Sequence, residues 1–387
     1  MLKIRTYNNI SPLGLEKFPR DRYEVASEIQ HPDAILLRSF DLHGVEIPAT
    51  VKAVGRAGAG VNNIPVSEYT QRGVPVFNAP GANANAVKEL VLAGMLLAAR
   101  KICDAWNYAK HLEGDDDSIH HQVEKGKKAF VGFELTGKTL GVLGLGAIGV
   151  KVANAAIDLG MNVIGYDPLL TVESAWMLSS KVARASSVDD LISRSDLVTL
   201  HVPLGEQTRH LINGPRLGFM KKGAVLLNFS RSPVVDEDAV RAALDSGQLQ
   251  TYVCDFPGQA LLSHAKAIVL PHLGASTHEA EENCAIMVAE RVRDFLENGN
   301  IRHSVNFPEV VMPRSQGHRL AIANENVPNM VGQISSALAE ANLNIIDLLN
   351  KSRGDYAYTL IDLNAAVPAE TLERIGSIKG VLSVRTL

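Results

Sequence analysis

Cysteine is scarce in this chain. Cys103, Cys254 and Cys284 are its only three, far apart and odd in number, which excludes a disulfide framework and leaves no pair at zinc-knuckle spacing. No metal is expected, and a reducing cytoplasm is the expected location. One-sided charge is lacking too. Lys and Arg number 38 against 42 Asp and Glu, a formal net charge of −4, whereas a nucleic-acid binder needs a basic footprint to release counterions. Nucleic acid is therefore excluded as a partner, and an anionic ligand has to be held by local arginines. Long apolar runs are absent as well: the longest, Leu90 to Ala99, reaches half of a membrane span. At the amino terminus Lys3 and Arg5 are followed by Asn8, Asn9 and Pro12, with no secretory apolar core. No membrane partner is expected. What remains is a 387-residue chain, 46% hydrophobic and 21% charged, enough for two or three globular cores at about 150 residues each.

The most informative stretch runs from Lys138 to Pro168. An apolar strand, Thr139 to Leu143, delivers the chain into Gly144-Leu145-Gly146-Ala147-Ile148-Gly149; a helix follows, and a second strand, Asn162 to Tyr166, ends on Asp167. The glycines have separate tasks: Gly144 for a tight turn, Gly146 for close approach to a pyrophosphate, Gly149 for packing of helix on strand. Free amides at the helix start favour phosphate. Asp167 stands where a carboxylate accepts from an adenosine ribose, which favours NAD over NADP.

Before this unit, short apolar strands at Leu2 to Tyr7, Ala34 to Arg38, Val51 to Arg56 and Val74 to Asn78 alternate with short helices, the pattern of a parallel α/β sheet. Ligands of such sheets lie beyond the carboxyl ends of strands, so Arg38 and Arg56 are candidates for holding an anion, or else ordinary surface arginines. A helix is expected from Asn83 to about Arg100. The stretch His111 to His121, with Asp115-Asp116-Asp117 and three histidines, has no spacing that gathers ligands and is expected as a solvated loop. Four further buried strands, ending at His201-Val202-Pro203, Ser230-Arg231-Ser232, Asp255 and Pro271-His272, continue the α/β alternation. A long helix is expected from Thr277 to Asn298, then a linker by composition from Phe307 to Gly317. The last seventy residues read as βαββαβ, a ferredoxin-like arrangement.

Arg231 and His272 stand just past strand ends on the edge that faces the cofactor. An arginine fork holds a carboxylate and polarises a neighbouring carbonyl, and a histidine takes a hydroxyl proton. The pair suits oxidation of a 2-hydroxy acid.

The glycine fingerprint, Asn228-Phe229-Ser230-Arg231-Ser232, Pro271-His272-Leu273-Gly274-Ala275-Ser276-Thr277 and Gly55-Arg56-Ala57-Gly58-Ala59-Gly60-Val61-Asn62-Asn63 resemble the signatures of the D-isomer-specific 2-hydroxyacid dehydrogenases. The tail resembles an ACT domain. The resemblance implies a flavodoxin-like substrate domain (residues 1–95 and 276–312) interrupted by a Rossmann NAD domain (96–275), with a ferredoxin-like regulatory tail (317–387). It also implies NAD-dependent oxidation of a small phosphorylated hydroxy acid, D-3-phosphoglycerate, at the start of L-serine biosynthesis. It assigns Ala147 and Ile148 to the pyrophosphate turn and Asp167 to the ribose. His201, Val202, Pro203, Phe229, Ser230, Arg231, Asp255, His272, Gly274 and Ala275 go to the cofactor. Arg38, Ser39, Arg56 and the backbone of Gly58, Ala59 and Gly60 go to the substrate. Asn324, which stands where the family commonly has a histidine, Asn326 and Asn344 would bind L-serine as an effector, unless Asn326 and Asn344 merely cap or terminate local structure. A homodimer, paired through the tails into a homotetramer, is implied. Two rivals share the scaffold: a reductase of glyoxylate or hydroxypyruvate, and a non-catalytic NAD-sensing corepressor.

One departure concerns chemistry. The family carries a Glu that pairs with the catalytic histidine shortly after the Asp matching Asp255; here the text is Asp255-Phe256-Pro257-Gly258-Gln259-Ala260, one residue shorter. Gln259 is the expected occupant, orienting His272 by a neutral hydrogen bond, or else it lies on a surface loop and another carboxylate reaches His272.

Overall fold

In the computed structural model, residues 1–315 and 317–387 are described; Gln316, in the expected linker, lies outside the described residues. The chain forms two compact units, one of Met1–Asn83 with His278–Leu387 and one of Ala84–Thr277. The first 83 residues build a parallel sheet from β1 (Leu2–Thr6), β2 (Tyr23–Ala26), β3 (Ala34–Leu37), β4 (Ala53–Arg56) and β5 (Val76–Phe77), in the order β2-β1-β3-β4-β5. Helices α1 (Pro12–Leu15) and α2 (Val66–Gln71) lie between them. The order 2-1-3-4-5 is flavodoxin-like. Strand β2 is an edge strand with alternating exposure, so it lacks the continuous apolar run that announces β3 and β4.

The second unit opens with α3 (Ala84–Arg100), α4 (Ile102–Lys110) and α5 (Asp116–Gly126). The acidic run expected as a loop is instead the start of α5: Asp115 Oδ1 accepts the Ser118 N–H at 3.0 Å, and Asp116 and Asp117 occupy the first turn. Carboxylates there cap free amides and oppose the dipole's positive end. The helix buries no residue, which is why its charge density read as loop.

Next come β6 (Thr139–Leu143), α6 (Ala147–Asp158), β7 (Asn162–Tyr166), α7 (Val172–Met177), β8 (Ala183–Arg184), α8 (Val188–Arg194), β9 (Leu197–Leu200), α9 (Gly214–Phe219), β10 (Ala224–Asn228), α10 (Glu237–Asp245), β11 (Leu249–Cys254) and β12 (Ala267–Val269). All seven strands are parallel, in the order β12-β11-β10-β9-β6-β7-β8. The direction of winding reverses between β6 and β9, where α/β sheets place ligands. Both faces are covered: β9 and β10 are buried throughout.

Helix α11 (His278–Asn298) returns the chain to the first unit and packs on β4, where Gly55 leaves room for it; a Cβ there would come within 2.8 Å of Val288 and Val292. The tail then forms β13 (His318–Glu325), α12 (Met330–Glu340), β14 (Ile345–Arg353), β15 (Tyr356–Leu363), α13 (Ala369–Gly376) and β16 (Val381–Thr386). Its separate antiparallel sheet has the order β14-β15-β13-β16, as a βαββαβ chain requires. Asn329, at φ +64°, opens α12 in a left-handed conformation that Asn tolerates better than most residues.

Composition misled a second time. The first part of the stretch read as a linker is core: Phe307, Val310 and Met312 are buried, and Ile301 bridges Val310, whereas Pro313 and Arg314 are exposed. One hydrophobic cluster holds Phe77, Phe295 and Phe307 together with Ala321, Ala323, Tyr358 and Leu360 of the tail sheet. Arg319 of β13 is buried beside them with all five of its N–H donors used. Nε and Nη2 grip Asp362 at 2.6 and 2.9 Å, Nη1 reaches the carbonyls of Asn298 and Met312 at 3.0 Å, and Nη2 also reaches that of Pro313 at 2.7 Å. Burial raises the Asp362 carboxyl, but Arg319 and Ser315 prevail and hold it below the usual range. No helix of the described residues is long and apolar enough to cross a membrane.

Candidate active site

The glycine loop leaves β6 at the reversal point of its sheet. Gly144 has φ +88°, and a Cβ there would lie 2.6 Å from the His201 carbonyl oxygen, so this turn excludes side chains. A Cβ on Gly149 would collide with the Gly144 carbonyl. Gly146 differs: its φ is −75°, no side chain caps the helix it opens, and an added Cβ would meet no protein atom within 4 Å. Protein packing does not demand a glycine there; the open space above the free amides of Ala147 and Ile148 does, if an anion is to approach backbone. Asp167, at the end of β7, accepts the Leu145 and Leu169 N–H groups at 2.8 Å each. Each carboxylate oxygen keeps a second acceptor position for a ribose hydroxyl. These residues fit a dinucleotide.

Below the loop, the half-buried His201 shares a 2.9 Å hydrogen bond with Thr199 through Nε2, while its buried Nδ1 has no partner. Burial pushes its imidazole down to about 3, so it is neutral at any working pH. Val202 is half-buried and Pro203 exposed on the adjoining turn.

At the end of β10, Phe229 and Ser230 turn inward. The Phe229 ring lies against Gly94 of α3, and Ser230 Oγ donates to the Leu200 carbonyl at 2.8 Å. Arg231 is left exposed, its Nη1 on the Ser230 carbonyl at 2.7 Å. Asp255 is buried, and both its oxygens accept backbone amides, from Leu273 at 2.7 Å and Gly274 at 2.8 Å. Burial raises its carboxyl above the usual range against the pull of those amides. The clamp fixes the turn carrying His272, which sits at φ +57°, a conformation that costs a non-glycine residue. His272 is exposed, and Gly274 and Ala275 complete the turn.

Arg231 and His272, distant in sequence, meet on one ring. The Arg231 guanidinium carbon lies 4.9 Å from the Phe256 centroid, and the His272 imidazole 4.3 Å from it. Sequence reasoning passed over Phe256, since a residue after a strand-end Asp announces no role. Gln259 is placed otherwise than expected: it is exposed, and no hydrogen bond joins it to His272. The segment bends at Asp255 and Phe256 and turns at Gln259 and Ala260, and Glu237 of α10 accepts the Gly258 N–H at 3.1 Å.

In the first unit, β3 and β4 end side by side, and Arg56 Nε donates to the Arg38 carbonyl at 3.1 Å. The Arg56 guanidinium lies across Gly58, where a Cβ would collide with it. Arg38 pairs with Glu281 of α11 at 2.6 Å; Ser39 and Ala59 are exposed and Gly60 half-buried. In the tail, Asn324 is buried with its Oδ1 unpartnered, and Asn326 Nδ2 donates to Gly354. Asn344 lies beyond the opposite end of the sheet, where Ile345 pairs with Leu363 while Asn324 pairs with Ala357. That is roughly 20 Å away at about 3.4 Å per strand residue, so one tail does not gather all three. Among the described residues no cluster could hold a metal.

Comparison with known proteins agrees with this geometry. The pattern of the family described as D-isomer specific 2-hydroxyacid dehydrogenase, NAD binding domain, matches residues 92–274. The chain is 34% identical over 355 residues to a D-3-phosphoglycerate dehydrogenase of Haemophilus influenzae, covering 89% of this chain and 83% of that one. It is 35% identical over 335 residues to the enzyme of that name from Methanocaldococcus jannaschii, covering 84% of this chain but spanning only 61% of that longer relative. The solved NAD+-bound 3-phosphoglycerate dehydrogenase of Entamoeba histolytica superposes with a TM-score of 0.61 over 79% of this chain and 98% of its own, at 24% identity, a likeness of fold. With its cofactor cradle, its Arg231 and His272 on one ring and these relatives, the chain belongs to the D-isomer-specific 2-hydroxyacid dehydrogenases.

Proposed function

We propose that the protein oxidises D-3-phosphoglycerate to 3-phosphohydroxypyruvate, the entry reaction of L-serine synthesis in the cytoplasm. The observation that carries this reading is the convergence of Arg231 and His272 on Phe256 at the carboxyl edge of the NAD-domain sheet. Gly144, Gly146 and Gly149, the amides of Ala147 and Ile148, and Asp167 hold NAD, which supplies the hydride acceptor when bound. The Arg231 fork grips the substrate carboxylate and, as the C–O bond gains carbonyl character, stabilises the developing charge. His272 accepts the hydroxyl proton at an imidazole nitrogen and returns it in the reverse direction. Asp255 keeps the His272 turn in its left-handed conformation. Arg38, Arg56 and the Gly58 to Gly60 backbone bind the phosphate, the flavodoxin-like sheet thus serving the substrate; Glu281 neutralises Arg38 until an anion competes for it.

The tail serves as an ACT-like domain that takes L-serine. Because Asn344 lies apart from Asn324 and Asn326 in one tail, its site requires two copies, consistent with a homodimer or homotetramer. The test follows NADH absorbance with D-3-phosphoglycerate, glycerate, glyoxylate and hydroxypyruvate, with and without serine. Turnover confined to phosphate-free substrates overturns the phosphoglycerate assignment, and no turnover with any of them favours the corepressor reading.

A further inference from the structure

Glu237 is the first residue of α10, where a carboxylate is ordinarily explained by the helix dipole. Its hydrogen bonds lead elsewhere. Oε1 accepts the Ser232 hydroxyl at 2.6 Å and the Gly258 N–H at 3.1 Å. Ser232 adjoins Arg231, and Gly258 is two residues past Phe256, so one carboxylate oxygen ties the turn bearing the guanidinium to the loop bearing the ring. The fit is close enough to prescribe the neighbouring residue: a Cβ on Gly258 would collide with the Glu237 carboxylate. The tied loop brings the Phe256 ring against both reacting groups, 4.9 Å from the Arg231 guanidinium carbon and 4.3 Å from the imidazole, tilted 46° to the latter. Offset and tilted ring pairs are attractive and directional, and a guanidinium over a ring face is held similarly. Gln259, by contrast, points to solvent.

We propose that Glu237 and Phe256 form a positioning clamp for the catalytic pair: the Glu237 carboxylate locks the Phe256 loop onto the Arg231 turn, and the Phe256 ring orients both the guanidinium and the imidazole. The clamp rests on the dehydrogenase reading above and deepens it. Neither residue touches a reacting atom; both act through Arg231 and His272. Orientation of the imidazole therefore comes from an apolar face and a remote carboxylate rather than from a hydrogen bond at Gln259.

The experiment compares Phe256→Leu, Glu237→Ala, Glu237→Gln and Ser232→Ala in the full chain. Misplacing a reacting group by about 1 Å costs on the order of 100-fold in rate, so Phe256→Leu and Glu237→Ala should lower kcat by about 10- to 100-fold while the Kd for NADH stays within about two-fold. Glu237→Gln retains an oxygen that accepts from both Ser232 and Gly258 and should restore most of that loss; Ser232→Ala, which removes one of the two bonds, should fall between. An independent readout needs no turnover. In the cofactor-free protein the His272 imidazole resonance, identified by its absence in His272→Gln, should be ring-current shifted, and Phe256→Leu should abolish that shift. Unchanged kcat, a parallel loss of NADH affinity and thermal stability, or a His272 resonance that Phe256→Leu leaves in place would each overturn the clamp. Should the wild type fail to reduce NAD with every hydroxy acid supplied, the dehydrogenase reading fails by itself, and the resonance still decides whether Phe256 orients His272.

Discussion

Removing the Arg319 side chain is the severest test of how the tail is built. The Arg319 and Asp362 side chains are 0% and 1% exposed, so Arg319→Ala strands a buried carboxylate that keeps only Ser315, through its N–H at 3.2 Å and its hydroxyl, among the described donors. It also takes the guanidinium donors from the carbonyls of Asn298, Met312 and Pro313. Breaking a buried pair from one side costs about 3–5 kcal/mol; with a urea slope of about 2–3 kcal/mol per molar, the midpoint should fall by about 1–2 M. Far-UV circular dichroism should report the loss. The fluorescence of Trp106 and Trp176, both in the other compact unit, offers a contrasting probe. Arg319→Met with Asp362→Leu should cost less than Arg319→Ala alone, because apolar replacement of both partners leaves no uncompensated charge. The sign with pH follows from Asp362, whose carboxyl is depressed in the fold. Its contribution is present above the unfolded value of about 3.9 and is lost as pH falls through the folded value, so the difference between wild type and Arg319→Ala should shrink in acid. An unchanged urea midpoint, or a double variant worse than the single one, would refute this account of the buried pair.

Gly146→Ala should fold with a melting temperature near wild type, since its Cβ meets no protein atom, yet lose NAD affinity by titration calorimetry; Gly149→Ala should instead lower stability, because its Cβ strikes the Gly144 carbonyl. Asp167→Ala should reduce kcat/KM for NAD by about 10- to 100-fold, the worth of a hydrogen bond to a charged group, with a smaller loss for NADP; an equal loss for both cofactors would show that Asp167 acts only through the Leu145 and Leu169 amides. His201, held at about 3 in the fold against about 6.5 unfolded, supports the native state above 6.5. That support drains away on acidification, by at most about 1.4 kcal/mol per pH unit. Urea midpoints at several pH values between 7 and 4 should fall less steeply in His201→Gln, and parallel curves would count against the burial of that ring.

The sequence by itself determined the elements whose signals are local. Parallel strands buried on both faces must be continuous apolar runs, so β3, β4, β9 and β10 were readable, as was the βαββαβ order of the tail. Gly144 and Gly149 were readable because a turn and a helix start demand them within a few residues, and the places of Arg231 and His272 just past strand ends because the apolar runs before them announce β10 and β12. Tertiary structure alone decided whatever depends on partners distant along the chain. Phe307, Val310 and Met312 sit among prolines and read as linker, yet the tail sheet supplies the apolar surface that buries them. Gln259 matched an expected position, but it is exposed, and the side chain that meets His272 is Phe256. Nothing in the sequence singles out Glu237, and its bond to Gly258 arises only because α10 and the loop after β11 are brought together by packing. Periodicity and turn chemistry act over a few residues; the Glu237–Gly258 and Arg319–Asp362 hydrogen bonds join residues 21 and 43 apart, and no local pattern records which loop closes on which.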